Sequence, residues 1–201
     1  MKLITNTQIT VDGVMQANGG NDPDLDPGFT RGGWAMPLGE EESETYIADC
    51  YLRADAFLFG RRTYDLFARY WGGVRKDDVD DPFVRSLNSR PKFVASNTIT
   101  EPQWADTTVL AGDVESAIRE LKAGPGGELQ VHGSGQLIRW LLDRELVDEL
   151  TLIVFPVIVG AGTRLFAEEG RDHALELIES RTFPTGIVAQ THRPTGRPEY
   201  A

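Results

Sequence analysis

Three short segments of the chain combine residues suited to holding an anion. The first is Ala56-Phe57-Leu58-Phe59-Gly60-Arg61-Arg62-Thr63-Tyr64-Asp65, an apolar run that reaches a glycine, two arginines and a threonine. If the run is a buried strand and the threonine opens a helix, the helix N-terminus offers unpaired N–H groups and a partial positive charge, which suits phosphate. Thr63 can add its hydroxyl, and Arg61 and Arg62 can pair with a terminal phosphate. The plain alternative is a strand-to-helix turn with solvated arginines.

The second segment, Glu128-Leu129-Gln130-Val131-His132-Gly133-Ser134-Gly135-Gln136-Leu137, again reads as strand, glycine loop and helix. Gly133 and Gly135 let the backbone approach a diphosphate closely. It is shorter than the full dinucleotide fingerprint, and it lacks the lysine of a phosphate-loop hydrolase. The third, Arg90-Pro91-Lys92-Phe93-Val94-Ala95-Ser96-Asn97-Thr98, ends a strand in small hydrogen-bonding residues. Ligands of open α/β sheets gather beyond the carboxyl ends of the strands, so all three segments point at one crevice.

The elements that must place these segments follow from periodicity. Strand patterns fall near 2–11, 56–59, 91–96, 107–110, 128–132, 149–159, 174–183 and 187–192. Helices fill the gaps up to residue 143. In the helix from Asp113 to Lys122, Asp113 caps the start, Val114, Ala117, Ile118 and Leu121 share a face, and Gly124-Pro125 ends it. A second helix, Gln136 to Asp143, shows Leu137, Ile138, Leu141 and Leu142 on one side. Strand, helix and strand in repetition imply crossovers and a largely parallel sheet. The last two strands, joined by Pro184-Thr185-Gly186, read as an antiparallel hairpin. Between the first strand and first helix, Gln16 to Gly39 forms a long loop rich in Gly, Pro and Asp, and Phe29, Trp34 and Met36 within it suggest that it packs on something.

Composition narrows the classes. A chain of 201 residues with 40% hydrophobic content suits a single domain spanning 1–201. Its 31 acidic against 20 basic residues, a net charge of -11, would repel a nucleic-acid backbone. No apolar stretch approaches the roughly 20 residues of a membrane helix. The start, Met1 to Asn6, runs straight into alternation without the pattern of a secretory signal, and Cys50 is the only cysteine, so a cytoplasmic protein with no intramolecular disulfide and no metal site is expected.

With these pieces in order, the chain resembles dihydrofolate reductase and, more closely, the reductase domain of the bifunctional riboflavin-biosynthesis deaminase/reductase and its stand-alone relatives. The resemblance rests on Thr10-Val11-Asp12-Gly13-Val14, Phe59-Gly60-Arg61-Arg62-Thr63-Tyr64, Ser96-Asn97 and His132-Gly133-Ser134-Gly135, followed by Val147-Asp148-Glu149-Leu150 and the run Phe155 to Phe166. It covers nearly the whole chain. It implies an α/β fold of the dihydrofolate reductase type, with a mostly parallel central sheet of about eight strands, flanking helices and a C-terminal antiparallel hairpin. It also implies an NADPH-dependent oxidoreductase. Thr63 and the turn Gly133, Ser134, Gly135, Gln136 and Leu137 would hold the cofactor diphosphate, with Gly60 also among the cofactor-binding residues, while Arg61, Arg62, Ser96 and Asn97 would surround the adenosine 2′-phosphate. Gln8 and Met15 match positions that flank the nicotinamide through backbone groups.

Reducing a C=N or C=O bond needs hydride on carbon and a proton on the heteroatom. The resemblance puts Glu44 where dihydrofolate reductases carry their substrate-binding carboxylate, and Glu44 shares a helical face with Ile47, Ala48 and Tyr51. Glu40, Glu41, Glu42 and Glu44 are equally suited to charging a helix N-terminus. Asp12 is the other catalytic candidate near the cleft, or a turn residue bonding its own backbone. Trp34 could stack on a planar substrate or anchor its loop, and His132 could simply bond locally at a strand end. The nearest family substrate is 5-amino-6-(5-phosphoribosylamino)uracil, with dihydrofolate next, although residues 16–44 contain only Arg31 to meet a substrate phosphate. A nucleotide-binding regulatory or assembly protein without turnover is the alternative reading. The apolar run Leu150 to Val159, broken by Pro156, is expected either at the contact of a homodimer, common in the riboflavin-type branch, or buried within one monomer.

Overall fold

A computed structural model of the chain describes residues 1–22, 27–74 and 80–201. Eight strands form one sheet: Lys2–Thr10 (β1), Ala54–Gly60 (β2), Lys92–Ala95 (β3), Thr107–Leu110 (β4), Glu128–His132 (β5), Glu149–Phe155 (β6), Ala174–Thr182 (β7) and Val188–Gly196 (β8). Their spatial order is β4-β3-β2-β5-β1-β6-β8-β7. The first six are parallel, and β8 pairs antiparallel with both β6 and β7. This is the expected mostly parallel α/β sheet with a C-terminal hairpin, which turns at Gly186 (φ +85°).

Among the described residues five helices flank the sheet: Glu41–Leu52 (α1), Arg61–Trp71 (α2), Pro82–Ser89 (α3), Val114–Ala123 (α4) and Gly135–Asp143 (α5). Strand alternation decides what each face buries. Ala56 and Leu58 of β2 and Leu129 and Val131 of β5 join Ile118 of α4 and Ile138 and Leu141 of α5 in one apolar cluster. Phe57 and Phe59 turn the other way, onto Tyr64, Phe67 and Trp71 of α2 and Leu87 of α3. β2 is therefore apolar on both sides, as a strand covered by helices requires, whereas β5 and β1 bury the polar side chains of Gln130, His132 and Asn6 on the face away from α4 and α5. Asp113 caps α4 by accepting from Ser116 N–H, and the helix stops at Gly124, as expected.

Two expectations change. The run 149–159 is strand only to Phe155, because Pro156 has no N–H to continue the ladder. Its strand part lies inside the sheet, between β1 and β8, and is largely buried there, whereas Pro156 and Ile158 beyond it are exposed. The long loop from Gln16 to Gly39 packs Phe29, Trp34 and Ala35 against Val14, Ile153 and Phe155, and contains a 3-10 turn at Met36–Leu38. Its residues 23–26 lie outside the described residues. Among the described residues no helix is long and apolar enough to cross a membrane.

Candidate functional site

The carboxyl ends of β2 and β5, neighbours in the sheet, feed directly into α2 and α5. Ser134 ties these two turns together. Its Oγ accepts from the Gly60 N–H at 3.0 Å, and its own N–H donates to Thr63 Oγ1 at 3.0 Å. To do so Ser134 adopts a left-handed backbone (φ 55°, ψ 45°) directly after Gly133 at φ +60°. A non-glycine residue in that region is uncommon and is held there by its surroundings. The result sets two helix N-termini side by side.

Those N-termini differ from the others. α1, α3 and α4 are capped by the carboxylates of Glu40, Asp81 and Asp113. α2 and α5 have no side-chain cap and no acidic residue in the first turn. Helix starts without an acidic cap leave donors and a positive dipole end for an anion. Gln136 is exposed at the start of α5, whereas Leu137 is half-buried, its Cβ lying 3.6 Å from where a Cβ on Gly60 would stand. Gly60 is thus a close-approach position between the turns.

Arg61 and Arg62 are exposed at the first positions of α2. Arg61 reaches the end of β3, donating to Thr98 Oγ1 at 2.5 Å and pairing with Asp65 at 2.8 Å. Ser96 Oγ accepts from the Thr98 and Ile99 N–H groups, both at 3.2 Å, and Asn97 Oδ1 accepts from the Gly112 N–H at 3.2 Å. The three sequence segments therefore converge at one end of the sheet, with Arg61 bridging the first and third. Thr98, absent from the expected site residues, is the atom-level link.

β1 supplies the other wall. Lys2 N–H bonds to Gly127 O on the β5 side, while Leu3 N–H bonds to Asp148 on the β6 side, so even residues of β1 turn their backbone groups toward β5. β5 pairing ends at His132, opposite Asn6, whereas β6 continues to Phe155, opposite Thr10. The backbone groups of Gln8 are thereby aimed past the end of β5, beside the Gly133 turn. Its side-chain oxygen accepts from Asn18 Nδ2 at 2.8 Å, which ties the long loop to β1. Met15 lies against the same turn, its Sδ only 2.6 Å from where a Gly135 Cβ would stand.

The proton-handling candidates separate. Asp12 Oδ1 accepts from Thr10 Oγ1 at 2.5 Å and from Val159 N–H at 3.1 Å, while Oδ2 accepts from Gly160 N–H at 2.8 Å. The Thr10 hydroxyl, with these backbone donors, holds its carboxyl down to about pKa 2. These bonds make Asp12 a clamp on the loop after β6, and Arg164 also reaches it at 3.5 Å. Glu44 is different. Capping of α1 is carried by Glu40, which accepts from the Glu42 and Ser43 N–H groups. Glu44 takes no part in that cap and is exposed beside Gly39, the fully buried helix positions being Ser43 and Cys50.

Trp34 is a packing anchor and not a stacking platform: it is only 8% exposed, donates Nε1–H to Gln16 O at 2.9 Å and meets Phe155 edge-on. His132 bonds locally, as expected, through Nε2 to Gln130 Oε1 at 2.8 Å, and it stacks under Tyr51 at 3.8 Å. Burial pushes its pKa down to about 3. Arg31 donates to Val159 O at 2.5 Å, so the loop's one basic group in the expected stretch is engaged with the backbone.

The sequence profile of the RibD C-terminal domain matches residues 1–189. The chain belongs to this family. A solved structure of a putative riboflavin biosynthesis protein from Shewanella sp. PV-4 superimposes with a TM-score of 0.68 at 24% identity, covering 97% of this chain and 99% of that one. A pyrimidine reductase-like protein from Corynebacterium diphtheriae gives 0.63 at 15% identity, over 96% and 92% of the two chains. The deaminase/5-amino-6-(5-phosphoribosylamino)uracil reductase of Thermotoga maritima gives 0.62 at 15% identity; it covers 96% of this chain, which spans only 56% of that larger protein. Among sequences, the uncharacterized protein YyaP of Bacillus subtilis is 26% identical over 193 residues, covering 93% of this chain and 92% of YyaP.

Membership of the RibD C-terminal domain family makes this a reductase-like domain, and the likeness to solved structures establishes the fold. Sequence reasoning missed three connections: Thr98 with Arg61, Asn18 with Gln8, and Arg164 with Asp12. Each acts across a gap in sequence between elements whose adjacency no local pattern reveals.

Proposed function

We propose that the chain is an NADPH-dependent reductase that delivers hydride to a C=N or C=O bond of a small substrate, with 5-amino-6-(5-phosphoribosylamino)uracil the first candidate and dihydrofolate the second. The observation that carries this reading is the pair of α2 and α5 N-termini, free of acidic caps and locked together by Ser134 beside Arg61 and Arg62. The residues present fit a nicotinamide dinucleotide. The turn Gly133 to Leu137, with Gly60 and Thr63, would hold its diphosphate. Arg61, Arg62, Ser96 and Asn97 would meet a 2′-phosphate, the group that separates NADPH from NADH. Gln8 and Met15 would flank the nicotinamide. The bound cofactor supplies the hydride.

Glu44 would hold or relay the proton for the substrate heteroatom, since it is exposed at the first turn of α1 and outside the cap, whereas Asp12 is committed as a clamp. The test is a titration with NADPH and NADH followed by an absorbance assay with the uracil substrate, dihydrofolate and simple carbonyls. Tighter NADPH binding and oxidation with one of them is the expected result. Equal affinity for both cofactors would overturn the 2′-phosphate assignment, and NADPH binding without any oxidation would favour the non-enzymatic reading.

A further inference from the structure

Asn6 is a carboxamide that folding leaves unanswered. It is 5% exposed, in the middle of β1, and both Oδ1 and Nδ2 are buried without a hydrogen-bond partner among the described residues. Its polar neighbours on the sheet are satisfied. His132, its register partner on β5, bonds Gln130; Gln130 donates to Cys50 O; Thr151, its register partner on β6, shares its hydroxyl with Thr191 at 3.1 Å. Thr5 and Thr7 also carry unpartnered hydroxyls, but strand alternation turns them to the α4 and α5 face with Leu3 and Ile9. A buried amide lacking both partners costs stability that an apolar side chain of similar size would not. Such a group persists where a bound water or a ligand completes it.

Its position says which ligand. Asn6 stands at the last rung before β5 turns away at Gly133, and on the same face as Gln8 one step further along β1. α1 covers this face, through Tyr51 over His132. The groups beside Asn6 are uncharged: His132, whose burial keeps it neutral, Gln130 and Thr151. No cation stands among them to receive a phosphate or carboxylate. A carboxamide offers one donor and one acceptor side by side, the complement of a cis-amide edge in a ring.

We propose that Asn6 is a specificity residue that recognises the lactam edge (adjacent N–H and C=O) of a neutral heterocycle held under α1. This deepens the reductase reading and rests on it for the identity of the cleft. Binding entails a small displacement of α1, which covers this face in the ligand-free chain through Tyr51.

The experiment uses the full chain with oxidised NADP present. Protein labelled with nitrogen-15 in asparagine is titrated with 6-aminouracil and with its 1,3-dimethyl derivative, which lacks the ring N–H, and the Asn6 side-chain signal is assigned by its loss in Asn6→Leu. Movement of that signal with the first compound and not with the second is expected. Signals that move with neither, or equally with both, overturn the proposal. Separately, Asn6→Leu should melt at or above the wild-type temperature and, for whichever substrate is reduced, raise KM about tenfold or more with NADPH affinity unchanged. A clear loss of melting temperature in both Asn6→Leu and Asn6→Ser would show that the amide is satisfied inside the protein, which also overturns it. If no substrate is reduced yet the Asn6 signal responds to the lactam, the reductase reading fails and this one stands.

Discussion

Ser134 and Thr63, separated by 71 residues in sequence, are joined by a hydrogen bond of 3.0 Å from the Ser134 N–H to the Thr63 hydroxyl oxygen. With the reverse-side bond from Gly60 N–H to Ser134 Oγ, it fixes the two anion-ready helix starts relative to each other. Thr63→Val keeps the side-chain shape and removes the acceptor. Stability should fall by about 1–2 kcal/mol, because the Ser134 N–H loses its partner. NADPH affinity should fall with it, measured by denaturant melts and by titration; a variant that binds as tightly as wild type would mean the turns are positioned by packing alone.

Arg61 and Arg62 should set cofactor choice. Arg61→Ala and Arg62→Ala are each expected to weaken NADPH binding about tenfold, the worth of a charge-assisted bond near 1.4 kcal/mol, and to leave NADH binding nearly unchanged. The measurement is the ratio of the two dissociation constants. A parallel loss for both cofactors would assign the arginines to the diphosphate instead.

Glu44→Gln removes a titratable proton while retaining size. Turnover should fall by about a hundredfold with NADPH affinity intact, a typical contribution for a positioned acid or base. Steady-state kinetics beside a binding titration separate the two. Unaltered turnover would leave proton delivery to ordered water.

His132 makes stability pH-dependent. Its folded pKa lies near 3 against an ordinary 6.5, because burial disfavours the charged ring. The unfolded chain therefore takes the proton first as pH falls. Its contribution is complete above pH 6.5 and declines by about 1.4 kcal/mol per pH unit below that, levelling once the folded ring also protonates. His132→Phe keeps a ring under Tyr51, and should flatten the decline between these limits in denaturant midpoints recorded across pH. A slope identical to wild type would show that another group carries it.

Asp12 acts in a lower window. Its carboxyl is lowered from an ordinary 3.8 to about 2, chiefly by the Thr10 hydroxyl. The stabilisation is present above the unfolded value and is lost as pH drops through the folded one. Asp12→Ala should destabilise the chain at neutral pH, by freeing the Val159 and Gly160 N–H groups, and should bring faster amide exchange at those two positions. Exchange unchanged there would mean that Arg31 and Arg164 hold the loop without it.

The sequence by itself determined the alternation of strands and helices, the apolar run of β2, and the capping of α4 by Asp113, because these are set by residues within a turn or two of each other. It also showed the three anion-suited segments, since glycine, arginine and threonine at strand ends have local meaning. Tertiary structure decided the rest. That the strand before Pro156 lies inside the sheet beside β1, that Trp34 anchors a loop on Phe155, and that Asp12 clamps Val159 and Gly160 all depend on partners more than a hundred residues away. Glu40 and Glu44 look alike as residues of one acidic cluster, and only the backbone entering α1 decides that Glu40 accepts the cap bonds. Asn6 is the sharpest case: an asparagine in a strand carries no signal, and only the tertiary neighbours around it show that neither end of its amide meets a partner among the described residues.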